Sequence, residues 1–444
     1  MPRTLRVALG SVQPAAETQF VAWALLKALC SAGLSAQHFL SRACFVPYDG
    51  ATPAAGRPSR HLDSWLMSRE ECIRAYLRGA SPSEFVLVEG HFPRAEGLAR
   101  LPGGDLETLC QWLNLPRLVV IDVDRLSTCL LPELPANTAG ILLDRVSGRE
   151  DFARWQTILE PLWNVPVMGA LGRADAARAA ISALPRGETL PGEHCLELAR
   201  ELTPYTRLDR ICQLADRPPV RNIPQPTRLA DEAYRPRVAV AFDEAFRCYF
   251  PDTLEMLERC GATVVAFSPL RDGRLPSKTD IVYFGCGHPE RHARALADNH
   301  CMMLALKEHV CSGRRLYAEG GGLAYLCEAM QLPDGRIENM VGIFPAVACV
   351  QSHPVPPRPV ELMLQESTWL APRGTQLRGY LNSNWQLEPT AAWAGKVTET
   401  TASDVLFSRR SAVGSLAHLH FSTNEACFSS FFRPHAAERQ LVEV

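Results

Sequence analysis

Residues 237–267 read RVAVAFDEAFRCYFPDTLEMLERCGATVVAF. An apolar run, Val238–Phe242, precedes an amphipathic segment, Pro251–Cys260, and a second apolar run, Thr263–Phe267, closes the stretch. Two short continuous apolar runs around one helix-like segment describe a strand–helix–strand unit, whose strands lie buried in a parallel sheet covered on both faces. The pattern runs on through strand Ile281–Gly285, helices Arg291–Asp298 and Met303–Val310, strand Arg315–Glu319 and helix Leu323–Met330; the last third is richer in strand signals and ends with Ser411–Phe421. Upstream, the same alternation appears in Leu5–Leu9 then Phe20–Ala32, in Phe85–Glu89 then Leu106–Leu113, and in the runs Leu118–Asp122, Gly140–Asp144 and Pro166–Ala170. The fold class is therefore α/β on both sides of Arg217–Pro236, a segment rich in proline and arginine without periodicity that reads as a linker. The expected organisation is a domain over 1–216, a linker over 217–236 and a domain over 237–444.

At 444 residues, 47% hydrophobic and 21% charged, the chain can fill two ordinary cores. Its net charge of −2 offers no basic excess for a nucleic-acid backbone or an anionic membrane. No apolar run reaches the roughly 18 residues of a membrane span, and Met1–Gly10 carries no signal-peptide core, so a cytoplasmic location is expected. The 15 cysteines stand singly between Cys30 and Cys427 with no C-x-x-C pair; they read as small buried hydrophobes, and no metal site is expected.

The stretch from 237 to 276, with GCGHPE (Gly285–Glu290), YAEGGGLAYL (Tyr317–Leu326), MVGIFP (Met340–Pro345), RGTQLRG (Arg373–Gly379) and HLHF (His418–Phe421), resembles the amidotransferase half of cobyrinate a,c-diamide synthases. GRPSRHLDSW (Gly56–Trp65), VLVEG (Val86–Gly90) and GILLDRV (Gly140–Val146) match the first half in the same order. The resemblance implies a P-loop-NTPase-like parallel-sheet domain followed by a class I glutamine-amidotransferase-like α/β domain. It also implies an activity: ammonia is released from glutamine on a cysteine and passed to a tetrapyrrole carboxylate activated by ATP.

A P-loop needs glycines, a lysine for the phosphates and a Ser/Thr hydroxyl for Mg²⁺. In the register set by the following helix, Glu17, Thr18 and Gln19 stand at the glycine, lysine and hydroxyl positions. A carboxylate where a phosphate would sit repels it by on the order of several kcal/mol at a partly buried site, so ATP and Mg²⁺ are not expected. The next element, which in relatives carries aspartates, reads Cys44, Phe45, Val46, Pro47. Glu89 is kept, either as a relic of a Mg²⁺ or acceptor contact or as a strand-end acid held by hydrogen bonds.

The relatives' nucleophile elbow, E-C-G-G, here reads Glu319, Gly320, Gly321, Gly322. Gly320 replaces the cysteine, which deletes the chemistry while easing a strained turn. His418 remains as a relic of the base, with His420 two residues on. Cys286 lies on the loop that should supply oxyanion N–H groups, the wrong turn for a relocated nucleophile. The segment G-x-E-F-H-Y-S of relatives becomes Gly379–Trp385 here, so specificity is expected to differ.

Asp243, Glu244, Phe246 and Tyr249 match the family closely, and the resemblance puts them towards an interdomain ligand cleft; the alternative is that they hold the sheet and its first helix together. The function expected from these losses and retentions is a non-catalytic homologue that binds a tetrapyrrole or a protein partner such as an active amidotransferase. The alternatives are an amidase of sirohaem or corrinoids using free ammonia, and a scaffold without small ligand. A homo-oligomer is compatible with either.

Overall fold

The computed structural model describes residues 4–45, 48–93, 103–126, 131–221, 223, 234–352, 356–382, 384–391, 405–421 and 425–433. Val46 and Pro47, most of the expected linker and Ser383 lie outside the described residues. The chain divides into two compact units, residues 1–225 and 226–444.

The first unit is built on seven parallel strands: β1 (Leu5–Ser11), β2 (Ala36–Leu40), β3 (Arg60–His61), β4 (Phe85–His91), β5 (Arg117–Asp122), β6 (Thr138–Val146) and β7 (Val167–Gly172), in the spatial order β3-β2-β4-β1-β5-β6-β7. The central strands are buried along nearly their whole length, as expected of a sheet covered on both faces. The helix Thr18–Ser31 is buried almost all round because it packs on this sheet and also under the helix Gly192–Leu202. The carboxyl ends of β1, β4, β5 and β6 therefore lie side by side, which is where open α/β sheets place ligands.

The second unit has a six-stranded sheet. Its strands are β8 (Arg237–Ala241), β9 (Thr263–Phe267), β10 (Ile281–Phe284), β11 (Arg315–Glu319), β18 (Leu406–Arg409) and β19 (Ala412–Ser415), ordered β18-β19-β11-β10-β8-β9. All neighbours are parallel except the β18–β19 hairpin. A four-stranded sheet of β12 (Cys327–Gln331), β13 (Ile337–Asn339), β14 (Phe344–Val350) and β17 (Trp385–Pro389) flanks it, with a three-stranded one of β15 (Arg358–Met363), β16 (Gln376–Leu381) and β20 (Ala417–Leu419). One expectation is corrected: Leu323–Met330 is not one helix. The helix is Gly321–Leu326, and Cys327–Gln331 is a strand paired with β13 and β14. The apolar run fits either period, and the edge offered by β14 decides it.

Candidate functional site

At the nucleotide-side site, the loop from β1 to the helix Thr18–Ser31 is tied down by its own side chains. Gln13 brackets the backbone of Asp122: its Nε2 donates to the carbonyl at 3.1 Å, and its Oε1 accepts from the N–H at 2.7 Å. Thr18, at the lysine position, donates to Glu89 Oε1 at 3.1 Å; Glu89 Oε2 lies 3.0 Å from His38 Nε2, and His38 Nδ1 lies 2.8 Å from Ser59 Oγ. Glu89 is thus a buried acid held by hydrogen bonds. Gln19 sits half-buried in the first turn of the helix.

Glu17 differs from the sequence expectation in a way that matters. Its carboxylate does not face open space where a phosphate would repel it; Arg145 binds it at 2.5 Å and Arg178 at 3.4 Å. Arg178 also pairs with Asp144, and Asp122 accepts from Arg125 at 2.9 Å with Arg145 at 3.5 Å. Three carboxylates thus meet three guanidiniums at the carboxyl edge of the sheet, and one of the six sits on a strained backbone: Arg145 has φ +67°. Burial pushes the Asp144 carboxyl up to about 6, against the pull of Arg178. ATP with Mg²⁺ does not fit these residues. Arg145 and Arg178 are already paired with carboxylates, and Thr18, at the lysine position, spends its hydroxyl on Glu89.

At the glutaminase-side site, β11 ends in Glu319 and turns through Gly320 into the helix Gly321–Leu326. Gly320 has φ 48° and ψ −111°, and its N–H donates to Ser415 O at 2.8 Å. The turn is sharp and its central residue carries no side chain. A Cβ added at Gly320 would lie 3.2 Å from Cys286 Cβ and 3.5 Å from His418 Cε1. His418 is fully buried between Asn382, whose Nδ2 is 3.2 Å from its Nε2, and Glu319, whose Oε2 is 3.5 Å from its Nδ1. Glu319 is fixed in turn, accepting from Tyr317 Oη at 2.7 Å and Leu419 N at 3.1 Å. A buried histidine and a buried carboxylate therefore lie beside Gly320, which has no side chain. His420 is also buried, its ring tilted 52° against that of Phe250 with centroids 4.8 Å apart.

Three of the four residues expected to face a ligand face inward instead. Asp243 is buried and accepts from Ala245 N, Phe246 N, Ser268 Oγ and Leu270 N at 2.8 to 3.2 Å. Four donors satisfy its charge without a ligand. Phe246 packs edge-on against Phe284 and beside Tyr325. The Tyr249 hydroxyl donates to Ala241 O and accepts from Gly285 N at 2.9 Å. This turn also carries the oxyanion-side loop: Cys248 N donates to Cys286 O, and His288 N donates to Ala245 O. A Cβ on Gly287 would lie 2.0 Å from Ala245 O, so only glycine allows that approach. Of the four, only Glu244 is open to solvent, paired with Arg271 at 2.7 Å.

Arg145, Arg178, Asn382 and Cys248 were not singled out in the sequence. Arg145 lies within the matched stretch GILLDRV, but the matching residue types give no hint that its side chain turns towards Glu17. No local signal marks Arg178 or Cys248; Asn382 lies in a segment visibly altered from relatives, which is a weak one.

The profile of the CobB/CobQ-like glutamine amidotransferase domain matches residues 237–426. Cobyrinate a,c-diamide synthases from Dehalococcoides mccartyi strains 195 and CBDB1 are 28% and 26% identical to the chain, covering 86% and 96% of it and 88% and 97% of their own lengths. The chain is a homologue of the cobyrinate a,c-diamide synthases. Its second unit carries the CobB/CobQ-like glutamine amidotransferase domain, and its first is an α/β unit on a seven-stranded parallel sheet. A crystal structure of a glutamine amidotransferase superposes on 44% of the chain, and on 96% of its own, at a TM-score of 0.35 and 14% identity. Among the described residues, no helix is long and apolar enough to cross a membrane.

Proposed function

We propose that this synthase homologue is non-catalytic and serves as a binding protein for a carboxylated tetrapyrrole or for a protein that handles one. The observation that carries the reading is the elbow at Gly320, which keeps its strained shape and its His418–Glu319 neighbours while lacking the atom that would form a thioester. The neutralised cluster around Glu17 supports the same reading for the other half reaction. The choice of ligand rests on kinship with enzymes named for cobyrinate.

Two assays test the loss of chemistry. Glutamate release from glutamine should not exceed a no-protein control, and release that His418→Ala abolishes would overturn the proposal. ATP with Mg²⁺ should leave the melting temperature unchanged, whereas binding at 100 times Kd would add about 2.7 kcal/mol of stability. Optical titration with sirohydrochlorin, sirohaem and cobyrinate should give at least one saturable complex. If none binds and a stable protein partner is recovered instead, the tetrapyrrole half of the reading falls and the partner half stands.

A further inference from the structure

Beside the vacant nucleophile position, two cysteines face each other. Cys248, in the turn after β8, and Cys286, in the loop after β10, form an isolated antiparallel bridge, with Cys248 N donating to Cys286 O at 3.1 Å. Residues opposed across an antiparallel bridge have Cα atoms about 4.5 to 5.5 Å apart, within the range of about 4.4 to 6.8 Å that disulfides span. Both are free thiols here, and Cys286 Sγ donates to the backbone carbonyl of Cys248 at 3.8 Å. Cys286 is buried and fills the space next to Gly320, whereas Cys248 is only half-buried.

We propose that Cys248 and Cys286 are a redox-active dithiol that undergoes thiol–disulfide exchange with low-molecular-weight disulfides, Cys248 attacking and Cys286 resolving. The electrostatics agree with that division of labour. The neighbouring Cys286 thiol, outweighing burial, and the nearby His288, His418 and Arg247 bring the Cys248 thiol down to about 7, and burial drives Cys286 up. A thiol with a pKa near ambient pH is the best attacking group, because it combines a large thiolate fraction with undiminished nucleophilicity.

In the first step the Cys248 thiolate forms a bond to one sulfur of the small disulfide RSSR; the S–S bond breaks and one RS⁻ leaves. The proton of the Cys286 thiol passes to that RS⁻. The Cys286 thiolate then bonds to Cys248 Sγ and expels the second RS⁻, which takes up the proton that Cys248 released. Two protein S–H groups and one RSSR become one protein S–S and two RSH, so the small disulfide is the oxidant and the dithiol the reductant. The replacement of a nucleophilic cysteine by Gly320 and the presence of Cys286 across the same space leave thiol chemistry at the site while removing the elbow thiol.

The test uses the full-length reduced protein, exposed anaerobically to oxidised glutathione, quenched with an alkylating agent and mapped by peptide mass. The expected product is a Cys248–Cys286 linkage with loss of two hydrogens, formed before the exposed Cys301 and Cys311 are modified. Cys286→Ser should trap the mixed disulfide on Cys248, and Cys248→Ser should slow modification of Cys286 on the order of tenfold or more. Cys286→Ala provides a second variant should the serine disturb folding, and the wild-type map needs no variant. Modification of Cys301 and Cys311 with Cys248 and Cys286 left reduced would overturn the proposal, as would a glutathione adduct on wild-type Cys248 that persists unresolved.

Discussion

On the non-catalytic reading proposed above, the β1 loop of the first unit and the Gly320 turn of the second depart from their relatives in opposite ways. At the nucleotide side the site has been refilled: Glu17 stands where a phosphate would, and Arg145 and Arg178 hold it as they would hold an anion. At the glutaminase side it has been hollowed: Gly320 removes one side chain, while the elbow, His418 and Glu319 keep their places. Refilling commits surrounding residues to new partners and is hard to reverse. Hollowing leaves a shape whose reversal depends on what has moved into the space, and here that is Cys286.

The largest effect is expected on the hollowed side. Gly320→Cys puts an L-residue at φ 48° with its Cβ 3.2 Å from Cys286 Cβ, and strain of this kind costs on the order of 1 to 3 kcal/mol. Chemical denaturation should show that loss, and combining it with Cys286→Gly should recover about half, because the crowding is relieved but the φ strain is not. A single variant as stable as the parent would mean the elbow has relaxed and the site is not preserved. A thiol placed at position 320 should give at most slow glutamate release, since Asn382 Nδ2 lies 3.2 Å from His418 Nε2, the nitrogen facing away from Glu319.

On the refilled side, Glu17→Ala should cost about 1 to 2 kcal/mol, in the range of a charged hydrogen bond discounted for the partial exposure of Glu17. The diagnostic is rescue: inorganic phosphate or sulfate should raise the melting temperature of the variant and leave the parent unmoved, because only the variant offers Arg145 and Arg178 without their carboxylate. Equal response of both proteins would show that Glu17 does not stand in for an anion.

Much of this contrast was legible in the sequence and part of it could not be. Strands Leu5–Ser11 and Arg117–Asp122 are marked by the largely apolar runs Leu5–Leu9 and Leu118–Asp122, and Gly320, Glu17 and Thr18 are picked out by register against a matched motif. What they touch does not: Arg145 reaches Glu17 across 128 residues and Arg178 across 161. Nor could the sequence show that Asp243 is held without a ligand, because its donors, Ser268 and backbone N–H groups, come together only in the fold. Cys248 had no signal, since opposition to Cys286 exists only once two loops pair.

The smallest effect separates the two units by the sign of their response to acid. Burial lowers His309, in the helix His300–Cys311, to about 4, although its Nε2 donates to Arg315 O. Its folded value lies below the unfolded one, so the stability it contributes is present above about 6.5 and is lost as pH falls towards 4. Asp144 has the reverse sign: its folded value is raised to about 6, so its contribution is present below about 3.9 and is lost as pH rises through 6. Between pH 7 and pH 5, acidification therefore weakens the second unit through His309 and strengthens the first through Asp144, each by on the order of 1 kcal/mol. Unfolding measured at both pH values should show His309→Gln losing less stability on acidification than the parent, and Asp144→Asn losing more. Identical pH responses in both variants would mean that neither buried group titrates within this window, and would leave the refilled and hollowed sites distinguishable only by their ligands.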